Sequence, residues 1–161
     1  MEFYGIEIPL DVQPSLALAV EREELGIGAG LQDRVSQVYQ GAVFMDFGEA
    51  SMHKKQGFAC GKYEPLDVDL LPPLYVAYST NESEPTEVVH NDLRARYEQG
   101  NPDVIAAMQR FAQITVAARA AIAEGDAGGF GLLVDENFDL RHSICNVASG
   151  QERMVRVARE A

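Results

Sequence analysis

Residues 24 to 47 read Glu-Leu-Gly-Ile-Gly-Ala-Gly-Leu-Gln-Asp-Arg-Val-Ser-Gln-Val-Tyr-Gln-Gly-Ala-Val-Phe-Met-Asp-Phe, which sets one carboxylate, Asp33, just behind the glycines Gly26, Gly28 and Gly30. Glycine lets a backbone take positive φ and pass close to a ligand. The helix entrance that such a loop feeds presents unpaired N–H groups to an anion. A carboxylate held there can accept a proton from a substrate hydroxyl, or orient it, beside a bound phosphate. Position alone does not demand that chemistry, because acids in first helical turns are common and the helix dipole favours them.

The elements that must carry this loop are legible on both sides. Pro14 suits the first turn of a helix with Leu16, Val20 and Leu25 near helical spacing, and Gly26 stops it. A second helix is expected over about Leu31 to Tyr39, then a strand over 42–47, a weaker one from Gly57 to Tyr63 and another from Leu74 to Ser79. Pro72-Pro73 is the best candidate boundary, dividing the chain into 1–71 with the Asp33 motif and 72–161. Beyond a polar loop at Asn81–Pro85, a helix carries Val89, Leu93 and Tyr97. The strongest helix follows, capped by Asn101, with Pro102 in its first turn and Val104, Ile105, Met108, Phe111, Ala112, Thr115 and Ile122 as its stripe up to Gly125. Gly128-Gly129-Phe130-Gly131 reads as a loop or break, and a last helix begins near Gln151. Strands and helices alternate irregularly, so the expected class is α+β.

Composition narrows the partners. The 161 residues carry a net charge of −12 with only 13 Lys and Arg, which argues against nucleic acid, whose phosphates need clustered cations. Cys60 and Cys145 fit neither a zinc spacing nor a dense disulfide framework and are expected as reduced thiols. No apolar run approaches the ~20 residues of a membrane span, and no basic stretch leads into an apolar one at the N-terminus. The cytoplasm is therefore the expected compartment. The histidines His53, His90 and His142 lack metal-ligand spacing, and no Ser or Cys sits in a nucleophile elbow.

The Ala-Gly-Leu-Gln-Asp-Arg-Val segment followed by Gln-Val-Tyr resembles the part of GHMP-family small-molecule kinases that carries the catalytic aspartate, most closely the glucuronokinases. Pro72-Pro73-Leu74-Tyr75, His90, Asn137-Phe138-Asp139-Leu140-Arg141 and the helix from Met154 to Arg159 fall in the same order as in that family, so the resemblance covers nearly the whole chain. It implies an α+β layered fold and an ATP-dependent sugar kinase that uses Mg²⁺ to phosphorylate the anomeric hydroxyl of a sugar such as glucuronate. An arabinose- or heptose-type sugar kinase, or a non-catalytic binding module of kinase descent, are the alternatives.

On this resemblance Asp33 is the catalytic base, and Glu21 falls where several of these kinases hold Mg²⁺ against the nucleotide phosphates. Glu21, Glu23 and Glu24 also read as a solvated helix face. Arg141 offers a guanidinium fork suited to a sugar carboxylate or a phosphate, or else a surface ion pair with Asp139 or Glu136. Gly30, Gln32 and Tyr39 are candidate substrate contacts through adjacency to Asp33. The family's two Gly-rich phosphate loops are not in the sequence, which therefore reads as the middle portion of a kinase, inactive alone. A partner chain supplying those loops, or self-association through an uncovered apolar surface, is the corresponding expectation.

Overall fold

The computed structural model describes residues 5–78 and 86–160, with nothing said of the side chains of 86–91. The expected loop at Asn81–Pro85 and the side chains of Val89 and His90 thus lie outside the described residues. The fold is α+β, helices joined by small antiparallel sheets. The chain forms two compact units, Met1–Asp69 and Leu70–Ala161. No helix among the described residues is long and apolar enough to cross a membrane.

In the first unit, α1 (Gln13–Ala19) starts with Pro14 in its first turn and runs on as a wider π turn over Val20–Glu24. Gly26, at φ 65°, ends it, a conformation in which a Cβ would be strained. Helix α2 (Leu31–Tyr39) packs on α1 with Val35 as its buried residue, 0% exposed. Two residues along an α-helix are about 200° apart, so burying Val35 turns Asp33 outward. Val12, just ahead of α1, Pro14 and Cys60 are also buried in this unit, and the Ser15 hydroxyl donates to the Ala59 carbonyl at 2.7 Å. The stripe read for α1 is not its buried face, because Val20 and Leu25 stand exposed where the helix widens.

Strand β1 (Ala42–Asp46) pairs antiparallel with β4 (Lys62–Leu66), Ala42 opposite Leu66, and β2 (His53–Lys55) pairs with β3 (Phe58–Cys60). Gln56 and Gly57, both at positive φ, turn the β2–β3 hairpin in the sense that matches strand twist. The strand expected from Gly57 to Tyr63 is thus two strands belonging to different sheets, parted at Gly61, where a Cβ would lie 2.8 Å from the Asp46 carbonyl oxygen. The strand expected at Leu74–Ser79 does not form over residues 74–78, and Ser79 lies outside the described residues. Its β-branched and aromatic composition is strand-like, but a strand needs a ladder neighbour and this stretch has none among the described residues; Tyr75 is 94% exposed.

The second unit is helical: α3 (Thr86–Glu98), α4 (Pro102–Glu124), α5 (Ala127–Ile144) and α6 (Ser149–Glu160). The Asn101 side chain accepts from the amides of Asp103 (3.1 Å) and Val104 (3.2 Å), and Gly125 closes α4 in the left-handed region. The buried face of α4 is Val104, Ala107, Ile114, Ala121 and Ile122. Ala112 and Thr115 of the expected stripe are exposed. The glycine run is not a break: Gly128 to Gly131 lie in the opening turns of α5, where Asp126 Oδ1 accepts from the Gly129 amide at 2.9 Å. A Cβ on Gly129 would meet Asp126 Oδ2 at 2.1 Å, so the carboxylate as placed packs directly over the glycine.

Lys55 on β2 donates to both carboxylate oxygens of Asp11 at 2.8 Å, with His53 Nε2 3.7 Å away. The Lys55 hydrogen bond holds the Asp11 carboxyl below its ordinary 3.8 against the opposing effect of burial. A depressed folded-state value means that the stabilisation is complete above the unfolded-state value and is lost as pH falls through the folded one. The urea midpoint is expected to fall on acidification below about pH 4, and Asp11→Asn to flatten that fall.

Candidate functional site

The loop from Leu25 to Gly30 is fastened from both flanking helices. The Ile27 amide donates to the Glu21 carbonyl (2.9 Å) and the Ala29 amide to the Ile27 carbonyl (2.8 Å). Arg22, from the π turn, forks onto the Ala29 carbonyl with Nε at 3.0 Å and Nη2 at 2.7 Å. Arg34, from α2, reaches back to the Gly30 carbonyl with Nη1 at 3.3 Å. Two consecutive carbonyls are thereby drawn onto guanidinium groups. The Gly30 residue at the helix entrance contributes no side-chain cap, so the first amides of α2 keep their capacity for an acceptor from outside.

Asp33 lies in the first turn of α2 with its side chain 78% exposed, and Arg34 Nη1 meets its Oδ2 at 3.2 Å. The Nε of the same guanidinium pairs with Glu21 Oε2 at 2.5 Å. Both of those atoms are shut off from solvent and have no hydrogen-bond partner beyond this ion pair. Glu21, its hydrogen-bonded partner, raises the Arg34 guanidinium further above its already high value. The two carboxylates singled out in the sequence are therefore brought together, around one guanidinium that sequence reading passed over. No local spacing marks it, because its partner Glu21 lies thirteen residues back across the loop.

Gly30, the residue before α2, and Gln32 both precede Asp33 at the loop end, and Gln32 is exposed. Tyr39 is six residues on, about 9 Å along the helix axis, and its ring packs edge-on to Tyr63 at 5.5 Å. Burial, together with nearby Asp11, pushes the Tyr39 hydroxyl up from its ordinary value. That places Tyr39 with the aromatic packing of the sheet and not at the loop. Among the described residues no group of three or more His, Cys, Asp or Glu side chains gathers as a metal centre. A Mg²⁺ ion shared with nucleotide phosphates needs only one or two carboxylates. Glu21, with its side chain 26% exposed and one oxygen engaged by Arg34, meets that lesser count.

In the second unit Arg141 is exposed near the end of α5. Neither acid expected to pair with it does so. Glu136 is forked by Arg110 at 2.6 and 2.9 Å, which holds the Glu136 carboxyl below its ordinary value, and Asp139 accepts from Arg159 at 3.0 Å. Arg159 also binds Asp135 at 2.7 Å and lies over the Phe138 ring, 5.6 Å from its centre. A cleft of about 830 Å³ opens along α5 and α6, lined by Phe138, His142, Arg153, Arg156 and Arg159 among others, with His142 paired to Glu152 at 2.8 Å.

The chain is 40% identical over 167 residues to a probable glucuronokinase 2 and 38% identical over 165 residues to a glucuronokinase 1, both from Arabidopsis thaliana. Each match takes in 99% of this chain and 44% of the relative, so the chain spans less than half the length of the curated relatives it matches. No model of a known family matches, and neither does a solved structure. The glucuronokinase-like character of the sequence is carried by nearly the whole chain and not by the Asp33 segment alone.

If Arg22 holds the loop through the Ala29 carbonyl, Arg22→Ala is expected to speed amide hydrogen exchange over residues 27–31 by about 10-fold, as local opening becomes easier, while α4 and α5 keep their protection. Mass-detected hydrogen exchange on the purified chain reads this directly.

Proposed function

We propose that this chain is the part of an ATP-dependent, glucuronokinase-like sugar kinase that carries the catalytic base, transferring the γ-phosphoryl group of ATP to the anomeric hydroxyl of a sugar such as glucuronate. The observation that carries the reading is Asp33: an outward-facing carboxylate at the entrance of α2, behind a loop held by two arginines, inside a sequence match that takes in 99% of the chain.

Phosphoryl transfer asks a protein for positioning and charge stabilisation more than for covalent chemistry. Asp33 accepts the proton of the sugar hydroxyl as its oxygen bonds to the γ-phosphorus and the bond to the β–γ bridging oxygen breaks, with ADP leaving. Water then takes the proton from Asp33. The amides at the start of α2, with the positive end of the helix dipole behind them, suit the negative charge that gathers beside the attacking oxygen. Gln32 and Gly30 stand next to Asp33 and suit hydrogen bonds to the sugar hydroxyls. Glu21 would hold Mg²⁺ through the carboxylate oxygen not engaged by Arg34; when bound, the ion supplies positive charge to the phosphate oxygens. The Arg141 guanidinium, with no hydrogen bond or ion pair to another described residue, suits the carboxylate of a uronic acid in a chain of net charge −12.

The test uses this chain joined to the flanking segments of the Arabidopsis glucuronokinase 1, with ADP release as the readout. Asp33→Asn is expected to lower kcat by at least ~10²-fold with the KM for sugar little changed, the pattern of a lost base that acts in the transition state. An unchanged kcat would remove Asp33 from the reaction. Arg141→Ala is expected to raise KM for glucuronate by about 10-fold while leaving KM for a neutral hexose within about twofold, because only the acid loses a charge-assisted fork. Equal changes for both sugars would take Arg141 out of substrate recognition.

A further inference from the structure

We propose that Arg34 is the positioning residue for Asp33, and that Glu21 anchors Arg34 for that purpose; this rests on Asp33 being the base. Neighbouring residues on a helix do not face each other, since each step turns the side chain by about 100°. Contact between Asp33 and Arg34 therefore needs a cause. The structure supplies one: Arg34 Nε is fixed on Glu21 Oε2, outside α2, so the rest of the guanidinium lies back across the helix entrance, and Nη1 reaches both the Gly30 carbonyl (3.3 Å) and Asp33 Oδ2 (3.2 Å).

The exposures fit this order of control. The Arg34 side chain is only 13% exposed and Asp33 is 78% exposed, so the arginine is the fixed member and the aspartate the one that would otherwise sample its rotamers in water. A base that must meet one hydroxyl gains rate from being held in one orientation. Only a planar fork can meet the Glu21 carboxylate, the Gly30 carbonyl and Asp33 together; an ammonium at the end of a lysine stem is a single point of charge. Glu21 thus acts on the chemistry through Arg34, in addition to whatever cation its other oxygen holds.

Two measurements test the proposal. In the metal-free purified chain, the Nε–H resonance of Arg34, identified by its loss in Arg34→Lys, is expected to be slow to exchange with water. Glu21→Gln should speed that exchange by about 10-fold or more, and Asp33→Asn by less than about twofold, because local opening limits exchange and the anchor is Glu21. An exchange rate indifferent to Glu21→Gln would overturn the proposal, with no appeal to activity. In the joined enzyme, Arg34→Ala and Arg34→Lys should each lower kcat at least ~10-fold with the sugar KM and the Mg²⁺ requirement within about twofold, and Arg34→Ala added to Asp33→Asn should cost less than about twofold more, since both act on one step. A purely structural role would give the same loss with Asp33 present or absent, and that additivity would overturn the positioning role. A full kcat in Arg34→Ala beside a large loss in Asp33→Asn would sink it too, leaving Asp33 as the base; a full kcat in Asp33→Asn would sink both.

Discussion

The burial of Val35 is the constraint on which the arrangement around Asp33 depends. A nine-residue helix is too short to hold its own orientation in water, so its rotation is decided by the one side chain it fully buries against α1. With Val35 inward, Asp33 faces out, and Arg34 lies on the flank from which its stem can reach Glu21 across the loop. The Ser15 hydrogen bond to Ala59 serves the same end, holding the β2–β3 hairpin against α1 while α1 holds α2.

Arginine does most of the fastening in this acidic chain. Arg22 and Arg34 hold the glycine loop, Arg96 binds the Ile144 carbonyl at 2.7 Å, Arg110 ties α4 to Glu136 on α5, and Arg159 ties α6 to Asp135 and Asp139. Most of these contacts are exposed, so each contributes little to stability on its own. Their effect is on geometry. A guanidinium forked onto one carbonyl or carboxylate fixes direction as well as distance, and a loop containing three glycines has little else to fix it. Arg141 stands apart because the acids that could have neutralised it, Glu136 and Asp139, are already engaged.

Much of this was legible where the signal is local. The bounds of α2 follow from Gly30 before it and the apolar positions within it, and those of α4 from Asn101, Pro102 and Gly125, because caps are written within a few residues of the end they stop. The failures lie where distant parts of the chain decide. Leu74 to Tyr78 have strand composition without a ladder neighbour, and the split of Gly57–Tyr63 into β3 and β4 depends on which strands they meet. Gly128 to Gly131 misled differently: glycine weakens a helix, but Asp126 caps this one through the Gly129 amide and the helix runs through them. At the site, Asp33 and Glu21 were singled out through the kinase resemblance, Asp33 also through its place behind the glycine loop. Arg34 was not, because its role depends on a partner thirteen residues away across a loop.

That partner does two things at once. The backbone carbonyl of Glu21 receives the Ile27 amide where the loop leaves α1, and its side chain holds Arg34 where the loop enters α2. One residue therefore fixes both ends of the glycine loop. It can do so because α1 ends in a π turn: the wider winding over Val20–Glu24 directs the last amides to carbonyls five and six residues back, Leu25 to Val20 and Ile27 to Glu21. Such turns cost a helix regular hydrogen bonding and recur where function gains from the altered path. Here the gain is a loop whose exit and entrance are set by a single glutamate, so that the orientation of Asp33 is inherited from α1 and not left to the glycines in between.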